Sequence, residues 1–169
     1  MARGLQTVLL LATAAMIAVV AAGYMAASGR LVISSHIQWG FLTALFIAFA
    51  HSMTLFYLIG SSGNVREAIK PYGWKDYMPR MARFHRVLSP WLTFAIIAAI
   101  LAVISGGGAH TRVWPAWVHQ ATALAALAIN VVASWKGIAV IGENVRLQRR
   151  LDAAIRSEQS RSLPGQGRA

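Results

Sequence analysis

Four long runs of apolar residues follow one another along this chain, separated by short polar or glycine-rich stretches. They cover residues 7–27, 37–60, 83–104 and 113–141. A bilayer core of roughly 30 Å needs about 20 helical residues at a rise of about 1.5 Å each. Every run is long enough to cross, so the pattern predicts an all-α integral membrane four-helix bundle.

The few polar positions inside the runs recur at helical spacing. In the fourth run His119, Thr122, Ala126, Asn130, Ala133 and Gly137 share one face, and the opposite side is rich in Leu, Ile and Val. Polar groups at membrane depth belong in a bundle interior, so this face is expected to point inward. In the second run Gly40, Ala44 and Ala48 lie within about 60° of His51 at about 100° per residue. Such a small-residue stripe permits close helix approach or leaves room for a flat ligand. In the third run His85 aligns with Ser89, Leu92 and Ile96, with Thr93 at the edge. That face has no small-residue stripe, so the pattern does not fix its direction.

Breaker residues suggest the ends. Ser61-Ser62-Gly63 is expected to end the second helix and Gly106-Gly107-Gly108 the third. Pro115 suits the first turn of the fourth. Pro90 is tolerable if it falls in a first turn and kinks the helix if it lies deeper. Residues 1–142 then form the four-span domain. Residues 61–82 carry Tyr72, Trp74 and Tyr77 with Val65, Ile69 and Met78, and predict a loop lying at the interface. Residues 143–169 form a basic tail, with a polar helix over 143–155 and disorder from Ser157. The first run could be a signal peptide, but it exceeds the usual core of about 7–15 residues, so a retained helix is expected.

Charge sets orientation. Arg3, six basic residues between Arg66 and Arg86, and seven between Lys136 and Arg168 account for 14 of the 16 Lys and Arg; the other side holds Arg30 and Arg112. The positive-inside rule places both termini in the cytoplasm. Trp114 and Trp117 then anchor the far interface. In a bacterium the expected location is the inner membrane. Only 12% of residues are charged, about half the ~25% of a soluble domain. The formal charge of +11 flanks the spans and no nucleic-acid module accompanies it, so nucleic acid is not an expected partner. Attraction to anionic lipid accounts for it, with Arg146, Arg149 and Arg150 as the candidate dock for an acidic partner. The chain has no cysteine, which excludes disulfides, thiolate metal sites, iron–sulfur clusters and covalently attached haem on it.

Five histidines lie in or beside the spans. His51 lies about 13 Å from the cytoplasmic end of the second span, and His85 roughly one turn into the third. His119 lies about 9 Å into the fourth from the other side. His36 starts the second span, and His110 falls in the far loop. His36 and His51 are about 22 Å apart in height and about 60° apart in azimuth. The best single reading is a non-covalent haem b electron-transfer subunit, with His51 and His85 as axial ligands; a second haem at His36 and His119 is a conceivable addition to it. The architecture is similar to that of membrane cytochrome b subunits working with quinone and partner proteins, an analogy at the level of architecture alone.

Quinone contacts would come from Tyr57, Trp74, Tyr77, Arg83 and Arg86 on the cytoplasmic side, or Trp39, Trp114 and Trp117 on the other. The same residues also suit interfacial belts. Lys136 suits a snorkelling cation or a haem-propionate partner.

Two other readings stand beside this one. A non-catalytic accessory subunit would use its small-residue faces to pack against other subunits of a larger membrane complex. A metal or proton pathway would use His51, His85 and a third ligand, with Met53 the nearest sulfur. Enzymatic activity would be as the redox component of an oxidoreductase complex. Hydrolase chemistry does not fit, because Ser52 points about 100° away from His51 and the spans hold no acid to orient a triad.

Overall fold

The computed structural model describes residues 1–162. It holds four helices: α1 (Ala2–Ala27), α2 (Ile33–Ile69), α3 (Tyr77–His110) and α4 (Ala116–Ser162), with one 3-10 turn at Lys70–Tyr72 between α2 and α3. No strand occurs among the described residues. All four helices are long and apolar enough to cross a membrane. Each packs on its neighbours in the order α1, α2, α3, α4, and α4 closes back onto α1. The N-terminus, the α2–α3 junction and the end of α4 therefore share one end, here the basic end, and the α1–α2 and α3–α4 turns form the opposite end.

The helices run further than the breaker residues suggest. α2 passes through Ser61-Ser62-Gly63, and α3 begins at Tyr77 and passes through Gly106-Gly107-Gly108. A glycine weakens a helix by only about 1 kcal/mol relative to alanine, which tertiary packing overrides. Ser61 is buried and accepts hydrogen bonds from Asn144 Nδ2 (2.7 Å) and Gln148 Nε2 (2.6 Å) of α4. The helix continues because its packing face continues. Most of the expected interfacial loop is thus helical, with Trp74 stacked against Tyr72 and Tyr77 at centroid distances of 4.7 and 6.2 Å. Pro90 lies well inside α3, so Arg86 loses the backbone N–H that another residue would offer its carbonyl. α4 runs unbroken through Gly142 and on to Ser162, so the expected disorder from Ser157 is helix as far as residue 162; residues 163–169 of the expected tail lie outside the described residues.

The core is closed in one half only. At the basic end Leu58, Val65, Met81, Leu88, Leu147 and Leu151 pack together, and in the middle Leu9, Met16, Ile47, Ala99, Ala126 and Ile141 do. Towards the opposite end the buried residues stop at Val19, Thr43, Ser105 and Ala126. Beyond them no described residue is buried.

The two turns at that opposite end share one geometry. After α1, Arg30 N–H bonds to Met25 carbonyl (2.9 Å) and Gly29 N–H to Ala26 carbonyl (3.1 Å), with Gly29 at φ 73°. After α3, Val113 N–H bonds to Gly108 carbonyl (2.9 Å) and Arg112 N–H to Ala109 carbonyl (3.2 Å). Here Arg112 occupies the left-handed position, at φ 61°. This helix-ending motif favours glycine at that residue. Arg112→Gly is therefore expected to raise stability by about 1 kcal/mol, measured as a higher midpoint of SDS-induced unfolding in mixed micelles. A lower midpoint would show that the arginine side chain outweighs its backbone strain.

Candidate functional site

At this end lies a mainly apolar cleft of about 930 Å³. All four helices line it, and so do His36, His110 and His119. Exposed residues such as Tyr24, Phe41 and Leu124 also border it, so it communicates with the outer surface of the bundle. Gly40 and Ala44 of the α2 small-residue stripe lie on its wall. The stripe thus makes room on the His36 side, about two to three turns nearer the opposite end than His51.

His36 and His119 meet here. Their ring centroids are 6.1 Å apart, with an interplanar angle of 62°. Each ring rests on a glycine of a neighbouring helix. A Cβ on Gly23 of α1 would come within 3.0 Å of His36 Cε1, and one on Gly106 of α3 within 3.1 Å of His119 Cε1. These two glycines let the rings lie against helix backbone. His119 Nδ1 donates to the Ala102 carbonyl (3.1 Å) and sits 3.3 Å from Ser105 Oγ, which in turn bonds Thr122 Oγ1. A carbonyl only accepts, so the proton is on Nδ1 and the lone pair on Nε2 is left for a ligand. His36 Nδ1 is buried with no hydrogen-bond partner among the described residues.

The structure does not bring His51 and His85 together. His51 is fully buried and its Nε2 lies 2.8 Å from Asn130 Oδ1 of α4. Asn130 Nδ2 donates to the carbonyls of Ala126 (2.9 Å) and Ala95 (3.4 Å), which turns Oδ1 towards the imidazole, so His51 donates from Nε2. His85 Nε2 lies 2.9 Å from Ser62 Oγ. Ser62 is eleven residues past His51 on α2, about 16 Å along the axis. Two imidazoles on one metal ion need their nitrogens about 4 Å apart. The expected sharing of one iron by His51 and His85 is corrected accordingly: α2 runs nine residues past Gly60, to Ile69, so His51 stands about 27 Å from the basic end of its helix against about 12 Å for His85 from the start of α3.

Other expected contacts resolve in particular ways. Met53 is exposed on the outer face, away from His51. Among the described residues no group of three or more His, Asp or Glu stands together as a metal site. Lys136 Nζ lies over the Trp91 ring, 5.2 Å from its centroid. Trp39, Trp114 and Trp117 are exposed and do not line the cleft; Trp114 packs on Gly108. Pattern reading missed Gly23, Gly106 and Ser105. Their signal was available only as small residues facing a histidine on another helix.

No family model, curated protein or solved structure matches this chain.

The His51–Asn130 pair gives a stability test. Asn130→Leu strands the His51 N–H in hydrocarbon, with an expected cost of about 1–3 kcal/mol. Adding His51→Leu is expected to recover most of the loss. Detergent unfolding of the two variants and wild type measures both, and an Asn130→Leu variant within a few tenths of a kcal/mol of wild type, the usual effect of a neutral surface change, would overturn the assignment.

Proposed function

We propose that this chain is a membrane electron-transfer protein that holds one non-covalent haem b in the cleft, with His36 and His119 as its axial ligands. The observation that carries the reading is the meeting of two imidazoles from different helices in a mainly apolar opening. At metal–nitrogen distances of roughly 2 Å, two rings across one metal ion have centroids about 6 Å apart, close to the observed 6.1 Å. Haem iron needs only two protein ligands because the macrocycle supplies the other four. The pair is too small a set for an ordinary zinc or copper site, which draws three or four ligands from the protein.

The residues around the pair support the same role. The Ala102 carbonyl holds His119 by Nδ1–H, fixing its tautomer and raising the basicity of Nε2. Gly23 and Gly106 keep the ring positions clear. Apolar walls exclude water and favour the less charged state of an iron centre. Because the cleft communicates with the outer surface, an isoprenoid quinone dissolved in the bilayer is the fitting small-molecule electron partner.

The reading is tested by a reduced-minus-oxidised spectrum of the purified protein. His36→Ala and His119→Ala are each expected to abolish the sharp α-band of six-coordinate haem, and His119→Ala to cut haem content severalfold. His85→Ala is expected to change neither. A wild-type spectrum in both of the first two variants would sink the site.

Orientation belongs to the same proposal: both termini lie in the cytoplasm, and the cleft opens near the far face. Its support is the clustering of basic residues at the basic end. A C-terminal fluorescent fusion is expected to be bright and a C-terminal phosphatase fusion inactive. The reverse pair of results would invert the bundle.

A further inference from the structure

The two facing histidines are held very differently. His119 is tied through Nδ1 to the Ala102 carbonyl, beside Ser105 and Thr122, and its ring is backed by Gly106. His36 has no such tie: Nδ1 is buried without a hydrogen-bond partner among the described residues. The backbone bond that starts its helix, His36 N–H to Val32 carbonyl, is long at 3.4 Å. Its backing helix is also loosely held at this end. The side-chain hydrogen bonds from α1 to the rest of the bundle come from Gln6 and Thr13, both in the half away from the cleft.

An acceptor on the second nitrogen orients an imidazole ligand and raises its basicity. By that rule His119 is the strong, fixed ligand and His36 the weak one. The cleft beside His36 is apolar and reaches the outer surface of the bundle. A small neutral molecule dissolved in hydrocarbon can therefore arrive without shedding a tight hydration shell.

Resting on the haem reading above, we propose that His36 is an exchangeable ligand, and that the reduced site binds a neutral diatomic gas in its place. The exchange breaks one iron–nitrogen bond to His36 and forms one bond from iron to the gas. His36 leaves as neutral imidazole, and neither an electron nor a proton changes hands. The site would then report a dissolved gas as well as carry electrons.

Carbon monoxide is the probe. The full-length protein, loaded with haem in lipid nanodiscs and reduced with dithionite, is titrated with the gas and followed in the Soret region. Wild type is expected to bind one carbon monoxide per haem. His36→Ala is expected to give the same carbonyl spectrum and to bind about tenfold more tightly or better, since the apparent affinity of wild type is the intrinsic one multiplied by the fraction of sites in which the internal ligand is off. Should His36→Ala fail to retain haem, Gly23→Ala serves instead. Its new Cβ, 3.0 Å from Cε1, displaces the His36 ring, and a severalfold gain in affinity is expected. Haem-loaded wild type that ignores carbon monoxide would overturn the exchange. So would a wild-type carbonyl spectrum unlike that of His36→Ala, or equal affinities in wild type and variant. A wild-type protein with no Soret band before gas is added would instead overturn the haem reading, and the exchange with it.

Discussion

Helices in a bilayer gain little from hiding apolar surface from one another, because lipid tails are equally apolar. What holds them in register is close packing and the pairing of polar groups that have no water to turn to. In this chain that pairing is concentrated on α4. Thr13 of α1 bonds Ser134, and Gln6 bonds the Ile138 carbonyl. His51 and Ser61 of α2 bond Asn130, Asn144 and Gln148. Ser105 and the Ala102 carbonyl of α3 bond Thr122 and His119. Among the described residues, the one interhelical side-chain bond that bypasses α4 joins Ser62 to His85. The last helix is thus the polar spine on which the other three are hung.

The distribution of those bonds explains why the molecule has a closed half and an open half. Below His51 each of the first three helices is pinned to a partner, and large aliphatic side chains fill the spaces between the pins. Beyond Val19 and Thr43, α1 and α2 carry glycine at Gly23 and Gly40, and no aliphatic side chain among the described residues is buried there. Protein interiors are close-packed, so a space of this size is not a neutral feature of a core. Its small walls, the meeting of His36 with His119, and the glycines behind both rings are the features on which the proposed haem site rests.

Much of this was legible in the sequence, and the parts that were not have physical reasons. The four spans follow from their apolar runs, because length and composition suffice for a membrane helix. The inward face of α4 follows from its 3.6-residue repeat, and Ala126, Asn130 and Ala133 are indeed buried. Helix ends were harder, since serine and glycine break a helix only where nothing packs against them. Ser61 and Gly106 are packing residues. The pairing of histidines was least legible. Depth counted from a misplaced helix end carries its error into every residue measured from it, as His51 demonstrates. Which histidine meets which depends on interhelical partners such as Asn130 and Ser62, and no single-helix pattern encodes those.

The cleft that opens through its side wall carries a consequence for biogenesis. A cofactor sealed in the centre of a bundle must be present while the helices assemble. One that slides in from the bilayer can arrive afterwards, into a scaffold whose pinned half has already formed. The chain would then pass through a lasting half-built stage whose abundance tracks cofactor supply, because a ligand stabilises a fold in proportion to the logarithm of its free concentration over its dissociation constant. In starved cells the loose ends of α1 and α2 would be the first segments offered to a membrane protease. Protein level would then follow cofactor availability with no dedicated regulator.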